Sequence, residues 1–199
     1  MIYLIRHGQT EFNREVRLQG RLDSPLTELG VEQARRMGRH LRDFIDEPSA
    51  FQLISSPLGR AVRTAEIVRE ASGLALEIEL EPRVMEVSVG AWEGLDRQQI
   101  EAIAPGMIGT PGWLLQAPGG ETYADVAARI SDWLAQIDET DGRRRIVVSH
   151  GVTGRLLRNL YGGGDHLTAW QGESPPQDAV FLLHKGVVGR VDDGWEDER

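Results

Sequence analysis

The sequence predicts an α/β protein, a three-layer α/β/α sandwich around a mostly parallel sheet. Two observations carry this. Short apolar runs fit for buried strands (residues 2–5, 51–54 and 144–148) alternate with longer segments whose apolar residues recur at helical spacing. Each of those runs ends in polar or cationic residues: Arg6–His7, Ser55–Ser56 and Ser149–His150. In open α/β sheets ligands collect at the carboxyl ends of strands, so these endings belong on one edge.

Element by element, Ile2–Ile5 forms the first strand, and residues 8–25 read as a polar loop. Thr27 suits the N-cap of a helix whose face is Ala34, Met37, Leu41 and Phe44. Phe51–Ile54 forms the second strand, and Ser56–Pro57 reads as the N-cap and first turn of a helix that Gly73 stops. A third strand is expected over residues 76–80. Residues 92–122, rich in Gly and Pro, read as a cap-like loop-and-helix excursion. Thr122 opens a helix with the stripe Tyr123, Val126, Ile130, Trp133 and Ile137. Residues 144–148 form a strand, residues 152–161 a helix closed by Gly162–Gly164, and residues 179–183 and 187–191 a final strand pair. The acidic tail, 192–199, is expected to fray. No repeat or linker splits the chain, so 1–199 is expected to be a single domain.

Composition narrows the function. With 40% apolar residues, 199 residues can bury a proper core. A net charge of −9 argues against nucleic acid and an anionic membrane surface as partners. The absence of cysteine removes disulfides, thiol catalysis and thiolate metal sites. The apolar start is too short for a signal peptide or membrane span, so the expected compartment is the cytosol.

Arg6, His7, Arg60 and His150 converge on the strand edge if the strands are parallel. Two guanidiniums can grip a phosphomonoester through forked contacts that lysine cannot match. The helices opening near Ser56 and Val152 add N-terminal amides. Histidine can be a neutral nucleophile near pH 7 and hold a phosphoryl group, and a carboxylic acid is then wanted to protonate the departing alkoxide.

Five segments in order, "LIRHGQTEFN", "SSPLGRAVRTAEI", "MEVSVGAWEG", "PGGETYADVAAR" and "VVSHGVTGRLL", resemble the histidine phosphatase superfamily, in its phosphoglycerate-mutase-like branch. The resemblance implies that His7 is the nucleophile and that Arg6, Arg60 and His150 bind the phosphoryl group. It further implies a phosphate contact at Asn13, with Gln19, Gly20 and Gly151 near the mouth, and the general acid at Glu86. It calls for no metal and no cofactor, since arginines and histidines supply the charge.

Against this stand blander readings. Arg63, one turn from Arg60, reads as solvated or salt-bridged; Glu81 and Glu93 rival Glu86. Glu121 reads as stabilising the start of the helix after it. His40 and His184 read as structural, and His166 as exposed. Only Trp92 and Trp113 lie near enough to the mouth to consider for substrate contact. Mutases of the family carry a basic pair in the excursion, whereas no Lys or Arg lies between Gln98 and Ala128. Hydrolysis of a small phosphorylated metabolite is therefore expected, ahead of a mutase or a non-catalytic phosphate-binding module; a homodimer stays compatible with the sequence.

Overall fold

The computed structural model describes residues 1–45, 47–171 and 176–191; the tail expected to fray lies outside them. Six strands form one sheet: β1 (Ile2–Arg6), β2 (Phe51–Ser55), β3 (Ile78–Leu80), β4 (Arg144–Ser149), β5 (Val180–His184) and β6 (Val187–Arg190). Their order is β3-β2-β4-β1-β5-β6. The first four run parallel; β5 pairs antiparallel with β1 and with β6. This is the expected α/β architecture.

Alternation along the strands builds two separate cores. Ile2, Leu4, Ile54 and Val147 face one side, where they meet α5 (Tyr123–Ala135) and α6 (Gly151–Tyr161) through Val126, Ile130, Trp133, Leu156 and Leu157. Tyr3, Ile5, Leu53, Ile146 and Val148 face the other, against α2 (Glu28–Arg42) and α3 (Gly59–Ser72) through Ala34, Met37, Leu41, Ala65 and Val68. A period-2 pattern with both faces apolar reads in sequence as a continuous run, as parallel strands require.

Several expectations change in detail. Residues 8–25 are not all loop: α1 (Glu11–Arg14) forms inside them, closed by a capping box between Thr10 and Asn13. Thr27 does cap α2, but that helix ends at Arg42, so Phe44 packs from beyond it. Ser56 does not cap α3. Its N-cap is Leu58, which makes no side-chain cap, and the amide of Arg60 is instead satisfied by Asp23 Oδ1 at 3.1 Å. Ser56 Oγ lies 2.7 Å from His150 Nε2 and accepts from the amide of Leu58, the N-cap residue itself, at 3.3 Å. The third strand is shorter than expected, and the excursion contains α4 (Arg97–Ile103).

Candidate active site

The four cationic or imidazole groups meet at the carboxyl edge because β1, β2 and β4 are parallel neighbours. The ladder continues past the strand ends: His7 N–H donates to Ser149 O, and Ser56 N–H to Val148 O, each at 3.0 Å. That fixes the backbone on both sides of His7 and His150. Gly8 follows His7 for a steric reason. A Cβ on Gly8 would collide with the carbonyl of Gly30 in α2, and one on Gly30 with the carbonyl of Gln9. Two glycines let the turn after the strand lie directly against a helix backbone.

A cavity of about 200 Å³ opens at this edge, and Arg6, His7, Asn13, Gln19, Gly20, Arg60, Glu86 and Gly151 all line it. His150 does not. It is fully buried behind His7, with ring centroids 5.1 Å apart, Nε2 against Ser56 Oγ, and Nδ1 without a hydrogen-bond partner among the described residues. A larger cavity, about 420 Å³, lies at Arg36, His40, Asp43 and Val180, and contains none of the candidate residues.

His7 is held as a neutral base. Its Nδ1 lies 2.8 Å from Gly8 O, which can only accept, so Nδ1 carries the proton. Nε2 then presents its lone pair, and Arg60 Nε donates to it at 3.3 Å. Burial, then the charges of Arg60 and Arg6, keep the imidazole well below its ordinary protonation range. His150 is lowered well below that range too, by burial first and then by Arg60.

Arg60 is 2% exposed, and its guanidinium is anchored to the loop before α2: Nη1 donates to Leu22 O at 2.7 Å and Nη2 to Gly20 O at 2.8 Å. Arg6 lies across the start of α6, where a Cβ on Gly151 would come within 3.3 Å of its Cζ. Arg63, by contrast, points outward and bonds Glu66 at 2.8 Å.

Glu86 lines the cavity with its carboxylate fixed by backbone amides. Oε1 accepts from Val87 N (3.0 Å) and Thr153 N (3.0 Å), and Oε2 from Val152 N (3.2 Å). Its rivals are committed elsewhere. Glu81 pairs with Arg83, while Glu93 accepts from the amide of Arg21 and the hydroxyl of Ser88. Some of the amides at the two helix N-termini are taken within the protein: those of Val152 and Thr153 serve Glu86, and that of Arg60 serves Asp23, while Gly151 itself lines the cavity.

Glu121 does not stabilise the start of α5, which Thr122 and Asp125 close by their own capping box. It pairs with Arg129 at 2.9 Å and accepts from Ser88 N at 2.9 Å. Trp92 is 2% exposed and stacks inside the core against the half-buried Trp113, at 5.7 Å. Neither tryptophan lines the cavity that holds His7.

Sequence reasoning missed several members. Gln177, just before β5, donates to Asn13 Oδ1 at 2.8 Å. Gln19 Nε2 donates to Thr10 Oγ1 at 2.8 Å, and Thr64 Oγ1 accepts from Gly8 N at 3.2 Å. Arg17, Leu18, Val87, Val89, Leu114 and Val152 complete the wall. A second cavity, about 250 Å³, shares Leu114 and Val152 with the first and is lined by Trp113, Arg155 and Trp170. Beyond Arg97 the excursion has no cation of its own, yet Arg155 of α6 brings one to the wall of this second cavity. Among the described residues no three carboxylate or imidazole groups cluster as a metal site, and no helix is long and apolar enough to cross a membrane.

Comparison with known proteins agrees with this geometry. The family model "Histidine phosphatase superfamily (branch 1)" matches residues 2–185. A probable phosphoglycerate mutase, GpmB, of Salmonella choleraesuis is 36% identical over 177 residues, covering 85% of this chain and 76% of that protein. Among solved structures, Bacillus stearothermophilus YhfR superposes with a TM-score of 0.80 at 29% identity, covering 95% of this chain and 94% of the other. A mycobacterial glucosyl-3-phosphoglycerate phosphatase, solved with VO3, gives 0.75 at 28% identity, covering 90% and 88%.

Proposed function

Since the chain belongs to the histidine phosphatase superfamily, branch 1, we propose that it hydrolyses a small phosphomonoester through a phosphohistidine at His7. One observation carries this reading: His7 presents a proton-free Nε2 to a cavity that it shares with two guanidiniums and a fixed carboxyl group. Nε2 attacks phosphorus, the P–N bond forms, and the bond to the leaving oxygen breaks. Arg6 and Arg60 balance charge on the equatorial oxygens as donors already held in place. Glu86 supplies a proton to the alkoxide. Its Oε2 accepts only one amide, so that oxygen has room for the proton. The resulting carboxylate then serves as base for the water that cleaves the phosphohistidine.

The names of the curated relatives favour a second reading, phosphoryl return to a bound acid as in a mutase. The absence of Lys and Arg from residues 99–127 favours hydrolysis. The test is a panel of phosphomonoesters ranked by kcat/KM, with phosphoglycerate mutase activity measured in parallel and phosphoenzyme trapped by acid quench. The proposal expects a His7-dependent phosphoenzyme and release of inorganic phosphate. Predominant isomerisation of phosphoglycerate would favour the mutase, and a protein that neither traps phosphate nor turns over would be a binding module.

A further inference from the structure

We propose that Thr153 is a positioning residue for the proton donor Glu86, and that the Arg129–Glu121 ion pair holds both in place. This rests on the reading of Glu86 as the acid. Thr153 is fully buried in the first turn of α6, and its hydroxyl oxygen lies 3.2 Å from Glu86 Oε1 and 2.6 Å from Met85 O. A hydroxyl carries one proton and cannot donate to both. With Glu86 protonated on Oε2, the shorter contact to Met85 O takes it. When that proton passes to the leaving oxygen as the P–O bond breaks, Glu86 becomes a carboxylate. The hydroxyl can then turn to Oε1 and add a charge-assisted bond at the moment the charge appears. The donor follows the charge with no backbone movement.

The ion pair straddles this arrangement. Arg129 Nε and Nη2 donate to the two oxygens of Glu121 at 2.9 and 3.3 Å, with both side chains about 15% exposed. Arg129 Nη1 donates to Arg83 O, three residues before Glu86, and Glu121 Oε2 accepts from Ser88 N, two residues after it. Arg129 Nη2 also reaches Thr153 Oγ1 at 3.5 Å, on the donor side, which leaves the hydroxyl proton for Met85 or Glu86. The segment carrying the acid is thus clamped on both sides by one half-buried pair, whose arginine touches the switching hydroxyl. A purely structural cap would need none of these convergences.

The experiment is single-turnover phosphorylation of the full protein by an alkyl phosphate and by nitrophenyl phosphate, in the wild type, Thr153→Val, Thr153→Ser and Glu86→Gln. Nitrophenolate departs without a proton, so only the alkyl ester reports on the acid. Thr153→Val should slow the alkyl ester roughly tenfold more than the nitrophenyl ester, the worth of one charge-assisted bond. Thr153→Ser should recover to within about threefold, since it restores the hydroxyl. Should Thr153→Val fold poorly, Glu121→Gln serves instead, with a smaller loss of the same selectivity. Equal slowing of both esters by Thr153→Val and by Glu121→Gln, while Glu86→Gln stays selective, overturns the positioning role alone. A Glu86→Gln variant that is itself unselective removes the acid assignment and this proposal with it.

Discussion

Arg60→Lys keeps the charge and removes the fork, so it isolates what the guanidinium geometry contributes. In the protein Arg60 bonds Gly20 O and Leu22 O with its two terminal nitrogens while Nε faces His7 Nε2. A single ammonium can hold one of those carbonyls but not both together with a ligand. Leaving a carbonyl unpaired costs about 1–3 kcal/mol. In a chain of this size each kcal/mol moves Tm by roughly 2–4 °C, so a fall of about 2–12 °C is expected. Catalysis loses more. On the proposed reading Arg60 grips the phosphoryl group, and losing two charge-assisted bonds at about 1.5–3 kcal/mol each would correspond to a hundredfold or greater drop in kcat/KM. Arg63→Lys is the internal control: its side chain is 60% exposed and pairs with Glu66 one turn away, an arrangement worth a few tenths of a kcal/mol. The assays are thermal unfolding and steady-state hydrolysis of nitrophenyl phosphate. Arg60→Lys within threefold of wild type at unchanged Tm would refute the reasoning, and a damaged Arg63→Lys would show that the wrong arginine had been chosen.

Gly30→Ala should destabilise by about 1–3 kcal/mol, because the new methyl meets the Gln9 carbonyl across a helix–loop contact; denaturant unfolding measures this, and a neutral variant would mean α2 can slide away from the loop. His7 and His150 are held neutral well below the ordinary value of 6.5, so the unfolded chain takes up protons that the folded one refuses. Stability should therefore fall as pH drops below about 6.5, by up to ~1.4 kcal/mol per pH unit for each histidine; His150→Gln should halve the slope between pH 6.5 and 5.5, and an unchanged slope would place the titration elsewhere. Turnover should survive a chelator and be blocked by vanadate, which mimics the trigonal-bipyramidal phosphoryl group; activity lost to chelator and restored by a divalent ion would contradict an all-protein charge balance.

The sequence by itself determined the layers and the edge at which the site forms. Apolar runs such as Leu4–Ile5 and Ile146–Val148, separated by helical stripes, leave a parallel sheet as the arrangement that buries both faces, and parallel strands put Arg6, His7 and His150 on one edge whatever the loops do. Local rules also served where the partner is near in the chain, as in the capping of α2 by Thr27 and the stop at Gly73, φ 76°. They failed where the partner is distant. The cap of α3 comes from Asp23, some 37 residues back; Glu121 finds the amide of Ser88, and Arg129 further along α5, rather than the first turn of that helix; Gln177 reaches Asn13 across 164 residues. A polar side chain satisfies its hydrogen bonds with whatever the packed chain brings within about 3 Å. Spacing predicts the direction of a strand or helix, but only the tertiary structure decides which backbone amide that side chain meets. For the same reason the tautomer of His7, the clamp on Glu86 and the glycine contact behind Gly8 belong to the fold and not to any motif.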